Sequence, residues 1–301
     1  MERVFSFPRI GKYTDFFMQM LKSFGLSVLT PPPITERTIK LGVKHSADMM
    51  CYPFKVTLGN FIEEIEQGAN SLIMYDSRGK CRLRHYWMLH ELILKNIGYD
   101  FKMYPLSLKN LIKLIKQFNP ELSYFTIVRK LRQSWKKLKE IEDPSLYTIK
   151  EGVNIGIVGE IYTCLEPTVN LNIEKKLKKF GVNVCNTIRL SDFIKASTRT
   201  SLLEKRTYKK KAARYLNGPL GGHGFENLYN VLLLCERGLD GIIHLLPLTC
   251  MPETTIVPIL DKICADYNVP LLRLMIDETN SEANFDTRIE TFAEMIKRRK
   301  K

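Results

Sequence analysis

Phe24-Gly25-Leu26-Ser27-Val28 joins an amphipathic stretch to a short apolar run, and Phe180-Gly181-Val182-Asn183-Val184 repeats that join in the second half of the chain. Before the first join, Phe16, Phe17, Met20, Leu21 and Phe24 recur at helical spacing, and the glycine is the natural stop of that helix. Residues 26–29 then read as a strand, as do 4–8 ahead of the helix. A helix over 56–67 ends at Gly68, a strand covers 71–75, a helix covers 87–96, and a last strand lies near 101–104. The second half follows the same plan. A strand over 154–161 precedes a helix carrying Ile173, Leu177 and Phe180 that stops at Gly181. After it come a strand at 182–185, a helix over 226–237 ending at Gly238, strands at 241–246 and 270–276, and a helix near 287–298. Short apolar runs alternating with amphipathic stretches specify α/β architecture with mainly parallel sheets. We therefore expect two similar parallel-sheet domains related by internal duplication, at residues 1–105 and 151–301. A helical layer over 106–150, broken at Asn119-Pro120, joins them.

Composition bounds the function. A chain of 301 residues with 45% hydrophobic and 26% charged content is long enough for two cores and reads as an ordinary globular protein. The beginning of the sequence carries no signal-peptide pattern, and no apolar run approaches the ~18 residues of a membrane span. A cytoplasmic location without membrane association is the expectation. Seven cysteines at irregular spacing do not form a disulfide framework, so reduced thiols or metal ligands are expected. The net charge of +14 gathers in 129–139, 205–214 and 297–301. Such surface suits phosphate-bearing or acidic partners, yet a solvated helical face explains it better. No aromatic-interleaved basic motif supports nucleic-acid binding.

Three cysteines stand apart from the rest. Cys81 lies 13 residues after Gly68 and Cys250 lies 12 after Gly238, each just beyond a strand's carboxyl end, where open α/β sheets present their ligand-binding loops. Cys51 precedes Gly68 by 17 residues. The same offset from Gly238 reaches Gly221, in the glycine-rich stretch from Gly218 to Gly224. A thiol at a helix N-terminus is biased toward the thiolate that binds metal. Pro252 after Cys250 suits a first helical turn, and Arg78, Lys80 and Arg82 surround Cys81 with positive charge. Cys164, Cys185, Cys235 and Cys264 fall on strands or apolar helix faces and read as small buried hydrophobes. Spacing alone leaves open whether Cys51, Cys81 and Cys250 share a ligand or are unrelated loop thiols.

The motifs Cys51-Tyr-Pro-Phe-Lys-Val-Thr-Leu-Gly-Asn60, Arg78-Gly-Lys-Cys-Arg82 and Leu248-Thr-Cys-Met-Pro-Glu253 resemble the cysteine motifs of the 2-hydroxyacyl-CoA dehydratase superfamily. The chain is most similar to that superfamily's short branch of acyl-CoA dehydratase activase-related proteins. Phe7-Pro8-Arg9, Ile157-Val-Gly-Glu-Ile-Tyr162, Gly222-His-Gly-Phe-Glu-Asn227, Asp277-Glu-Thr-Asn280 and Thr287-Arg288 extend the resemblance along nearly the whole chain. The resemblance implies flavodoxin- or Rossmann-like domains and a 4Fe–4S cluster held by Cys51, Cys81 and Cys250, with one iron left open. That cluster would stand alone or form half of a double cubane. It implies low-potential electrons delivered by an ATP-hydrolysing activase, itself an iron–sulfur protein of actin-like fold. It further implies an acyl-CoA or small-molecule substrate, and a homodimer or a related second subunit. The corresponding activity is that of an ATP-dependent reductase or radical dehydratase component. The alternatives are a non-catalytic cluster-carrying subunit, or a two-domain binding protein with structural zinc.

Secondary candidates are Glu160 at a strand end and Glu226 at a helix start, either of which orients cluster or substrate or simply caps backbone groups, and His223 as a proton relay, though a loop histidine is more often structural. The glycine-rich stretch from Gly218 to Asn227 suits a tight turn better than a phosphate cradle. Asp277 and Glu278 follow the last strand, and Met50 and Phe54 flank Cys51 as shields against water.

Overall fold

The computed structural model describes residues 2–76, 81–142, 148–196, 210–216, 218, 220 and 224–300. It divides into two compact units, Met1–Asp143 and Pro144–Lys301. The first runs β1 (Val4–Ser6), α1 (Tyr13–Ser23), β2 (Ser27–Val28), α2 (Glu36–His45), α3 (Tyr52–Glu66) and β3 (Ser71–Tyr75). A 3₁₀ turn (Arg82–His85) follows, then α4 (Tyr86–Asn96), β4 (Lys102–Leu106), α5 (Leu111–Phe118) and α6 (Tyr124–Ile141). The second runs β5 (Asn154–Gly159), α7 (Ile161–Leu165), α8 (Ile173–Lys179), β6 (Asn183–Asn186) and α9 (Leu190–Ala196). It continues through α10 (Gly224–Glu236), β7 (Gly241–Pro247), α11 (Met251–Asp266), β8 (Leu271–Ile276) and α12 (Glu282–Lys300).

Each unit holds a four-stranded, all-parallel sheet, ordered β2-β1-β3-β4 in the first and β6-β5-β7-β8 in the second. The expected α/β class with two Rossmann- or flavodoxin-like sheets is therefore correct. Alternation along β3 explains the layering. Leu72 and Met74 face a core with Phe54, Phe61 and Leu94 of α3 and α4, while Ile73 faces one with Phe24, Leu114 and Ile127 of the α1, α5 and α6 side. The helices of the expected connector thus lie on the first sheet, interrupted near Asn119-Pro120 as the proline requires. In the second unit α10 and α11 enclose Leu228, Val231, Ile256 and Leu260 against Val158 and Ile242 of the sheet.

The two units share a plan, and part of it also keeps a constant offset in numbering. Phe5 pairs with Val28 and Ser71, and Ile155 pairs with Val184 and Gly241, so these residues hold equivalent places. Residues just past the helices take positive φ at Gly68 and Gly238 (102° and 75°) and at Gly98 and Asn268 (98° and 54°). From 68 to 238, from 71 to 241 and from 98 to 268 the separation is 170 positions, one register across α3, β3 and α4. Asparagine substitutes for glycine at the third site because it tolerates the left-handed conformation.

Among the boundaries that differ from the sequence expectation, two have a local backbone cause. The strand expected over 154–161 ends at Gly159, whose φ of 149° turns the backbone out of the sheet, and Glu160 caps the short helix α7 instead. The strand expected over 4–8 stops at Ser6, before Pro8 removes a ladder donor.

Candidate functional site

Cys51, Cys81 and Cys250 occupy the same structural position: each is the residue immediately before a helix, in extended conformation. Cys51 precedes α3, Cys81 the 3₁₀ turn, and Cys250 α11, with Pro53 and Pro252 in the first turns of α3 and α11. Strand order in each unit reverses between β1 and β3, and between β5 and β7, so the loops after those strands flank a switch point where α/β sheets bind ligands. Cys81 follows β3 and Cys250 follows β7.

In the first unit Cys51 and Cys81 are linked through neighbours. The Tyr86 hydroxyl, at the start of α4, hydrogen-bonds the Cys51 sulfur. Arg82, beside Cys81, donates to the Met49 carbonyl at 2.8 Å, tying its loop to the segment that enters α3. Cys51 is buried with Phe54 and Met50, whereas Cys81 is half-exposed. Phe54 meets the Tyr86 ring edge-on and stacks on His90 at 4.4 Å. Burial pulls the His90 pKa down to about 3, partly opposed by its contact with the Phe54 carbonyl, so this imidazole is neutral.

Cys250, in the second unit, is buried beside a network of fully buried polar groups. Glu253 accepts from Asn227 Nδ2 at 2.7 Å through Oε1, and its Oε2 lies 2.8 Å from His244 Nε2. Asn227 Nδ2 also donates to the Gly159 carbonyl at 2.8 Å. Glu160, the next residue, accepts from the Tyr162 and Thr163 amides and the Thr163 hydroxyl at 2.8–3.1 Å. Burial raises its pKa, the helix-start hydrogen bonds partly reverse that, and the nearby Glu253 carboxylate raises it further. Glu160 is thus an N-cap whose pKa burial shifts upward.

The other sequence candidates are placed as follows. Glu226 stands in the first turn of α10, and His223 lies outside the described residues, with Arg78, Lys80 and Gly221. Asp277 Oδ1 accepts from the Thr279 amide and hydroxyl, which makes it a turn residue. Burial pushes the Cys164 and Cys185 thiols up, and the Cys264 sulfur beside Cys235, together with burial, does the same there; these are neutral core thiols. Sequence reading missed Asn227, His244, Glu253, Tyr86 and His90. An isolated histidine in an apolar strand carries no local signal, but alignment of the two halves does, since Met74 stands where His244 does.

The three cysteines suit soft, thiolate-binding metal centres: all seven cysteines are outside disulfides, and the three precede helix N-termini that favour the anionic ligand. Cys51 and Cys81 belong to the first unit and Cys250 to the second. Among the described residues no group of three or more His, Cys, Asp or Glu side chains is gathered at metal-binding distance. No helix among them is long and apolar enough to cross a membrane.

Residues 197–296 match the family model described as 2-hydroxyglutaryl-CoA dehydratase, D-component. The matched segment contains α10, β7, α11 and β8, and with them Cys250 and its buried network. No curated protein matches the chain.

Proposed function

From the membership of the 2-hydroxyacyl-CoA dehydratase superfamily that the match supports, we propose that this chain is a cluster-bearing redox component of the dehydratase type. Cys51, Cys81 and Cys250 are its cluster ligands in this reading. One observation carries it: three cysteines, far apart in sequence, each sit at the entry to a helix at the ligand-binding edge of a parallel sheet. When bound, a three-thiolate 4Fe–4S cluster supplies a low-potential electron and an iron open to a carbonyl or hydroxyl oxygen. Tyr86 hydrogen-bonds one ligand sulfur, and Phe54 and Met50 keep water from it. Glu160, at the end of β5 and with its pKa raised first by burial, is the candidate acid for a departing hydroxyl. The partner that delivers electrons is an ATP-hydrolysing activase, and the substrate is an acyl-CoA or another small molecule.

Iron and sulfide analysis of oxygen-free protein tests the reading. We expect near-stoichiometric cluster in the wild type, its loss in Cys81→Ser, and its retention in Cys235→Ser. Zinc or no metal in the wild type, or equal loss in both variants, sinks the assignment. A cluster spectrum that changes on adding substrate indicates catalysis; one indifferent to every acyl-CoA and small-molecule substrate leaves a carrier role in its place.

A further inference from the structure

We infer that Glu253, clamped between His244 and Asn227, is the positioning residue that fixes Cys250. Glu253 is in the first turn of α11, three residues after Cys250, and is fully buried. Its carboxylate reaches β7 through His244 and α10 through Asn227, and Asn227 carries the contact on to the carbonyl that ends β5. One side chain therefore ties the helix that begins at Cys250 to three other elements. The backbone before it is held as firmly: the Cys250 amide donates to the Pro247 carbonyl at 3.0 Å, and the Thr254 amide to the Cys250 carbonyl at 2.9 Å. Thr249, between them, has a φ of 62°. A β-branched residue persists in that region only where its surroundings over-determine it.

The duplicated scaffold shows that the fold itself does not ask for this network. In the 170-position register His244 matches Met74, Asn227 matches Thr57, and Glu253 matches Leu83. Met74 is in the first unit's apolar core and Leu83 packs on it. The matching place in the first unit is thus built with Met74, Leu83 and a threonine whose hydroxyl meets His90, and carries no acid, whereas the second unit sets a buried acid, imidazole and amide there. Burying a carboxylate is unfavourable unless it is paired, and a paired one is readily replaced by well-packed apolar groups. Two polar atoms of the network, His244 Nδ1 and Asn227 Oδ1, have no hydrogen-bond partner among the described residues, which makes it poorer still as a stabilising device. What it supplies is a fixed pose for the first turn of α11, and with it for the Cys250 sulfur.

This inference deepens the ligand reading of Cys250, and its main readout needs no cluster. The variant Asn227→Thr/His244→Met/Glu253→Leu copies the first unit's residues into the full chain. Metal-free, oxygen-free protein is treated with iodoacetamide and each cysteine is followed by peptide mass spectrometry. We expect the triple variant to melt cooperatively at or above the wild-type temperature. Cys250 alkylation should rise about tenfold or more as the first turn opens locally, with Cys264 on the same helix and Cys81 unchanged. A Cys250 rate within about twofold of wild type overturns the inference, as does a parallel rise at Cys264, which would mean general loosening. Should the triple variant fail to fold, Glu253→Gln and Glu253→Ala decide the point: glutamine preserves the shape of the clamp and should keep Cys250 slow, while alanine should make it fast. Equal rates in the two count against the clamp. Iron loading is measured in parallel. Wild type that takes up no iron removes the ligand reading, and the alkylation rates still decide the positioning.

Discussion

Leu234 closes so tightly on Gly156 that a Cβ on the glycine would come within 2.6 Å of the leucine Cδ1. The first unit places Ser6 and Glu64 at the matching positions: Ser6 follows Phe5 as Gly156 follows Ile155, and Glu64 precedes Gly68 as Leu234 precedes Gly238. Glu64 is fully buried. Burial raises its pKa well above the ordinary 4.5, the Ser6 hydroxyl offsets part of that, and Glu63 adds to it. The folded chain therefore keeps a proton that the unfolded chain releases above about pH 4.5, and stability falls as pH rises from there toward the raised folded value. We predict that Ser6→Gly/Glu64→Leu, the second unit's solution, stabilises the protein by about 1–3 kcal/mol at pH 7–8 and by little at pH 4. Urea unfolding at three pH values measures this; a gain independent of pH refutes it.

His90 gives the opposite slope. Its ring is buried against Phe54, with Nε2 3.3 Å from the Thr57 hydroxyl, and its pKa of about 3 lies below the unfolded value near 6.5. Unfolding takes up a proton at any pH between those values, so stability is lost as pH falls from about 6.5 toward 3. Leu260 holds the equivalent position in the second unit, which makes His90→Leu the natural replacement. The variant should lose less melting temperature than wild type between pH 7.5 and pH 5. Parallel curves would show that His90 is not the group responsible.

The duplication was legible because helix stops are local: Gly25 and Gly181, or Gly68 and Gly238, announce a left-handed residue without reference to the rest of the fold. The loop positions of Cys51, Cys81 and Cys250 were legible for a related reason, since distance from such a stop locates a loop. The network around Glu253 was not. Its partners lie 26 residues away on α10 and 9 away on β7, and nothing in either local pattern marks them as neighbours. Helix α2 also escaped reading, because Glu-Arg-Thr-Ile-Lys-Leu-Gly-Val-Lys-His shows a weak apolar stripe and buries only Thr38 and Gly42 fully.

Helix α2 packs against α3 through two glycines. A Cβ on Gly42 would lie 1.8 Å from the Lys55 carbonyl oxygen, and one on Gly59 the same distance from that of Thr38. Backbone meets backbone, so no flexible side chain can yield. Gly42→Ala and Gly59→Ala should each destabilise by about 1–3 kcal/mol or more, the range for overpacking a tight contact, and should displace α2 from the helix that begins at Cys51. Alanine at either site with an unchanged denaturation midpoint contradicts the close contact.

Tyr86 offers the most direct test of how the first unit treats its candidate ligand. Its hydroxyl reaches the Cys51 sulfur while its ring stays 5.0 Å from that of Phe54. Tyr86→Phe removes the hydrogen bond and keeps the ring. Hydrogen bonds to ligand sulfurs stabilise the reduced, more negative state of a cluster, so the variant should retain its iron and show a lower midpoint potential in a spectroscopically monitored redox titration. An unchanged potential with full iron content would show that the hydroxyl does not tune the cluster. Loss of iron would show instead that Tyr86 holds Cys51 in place for binding, a different role from the one predicted.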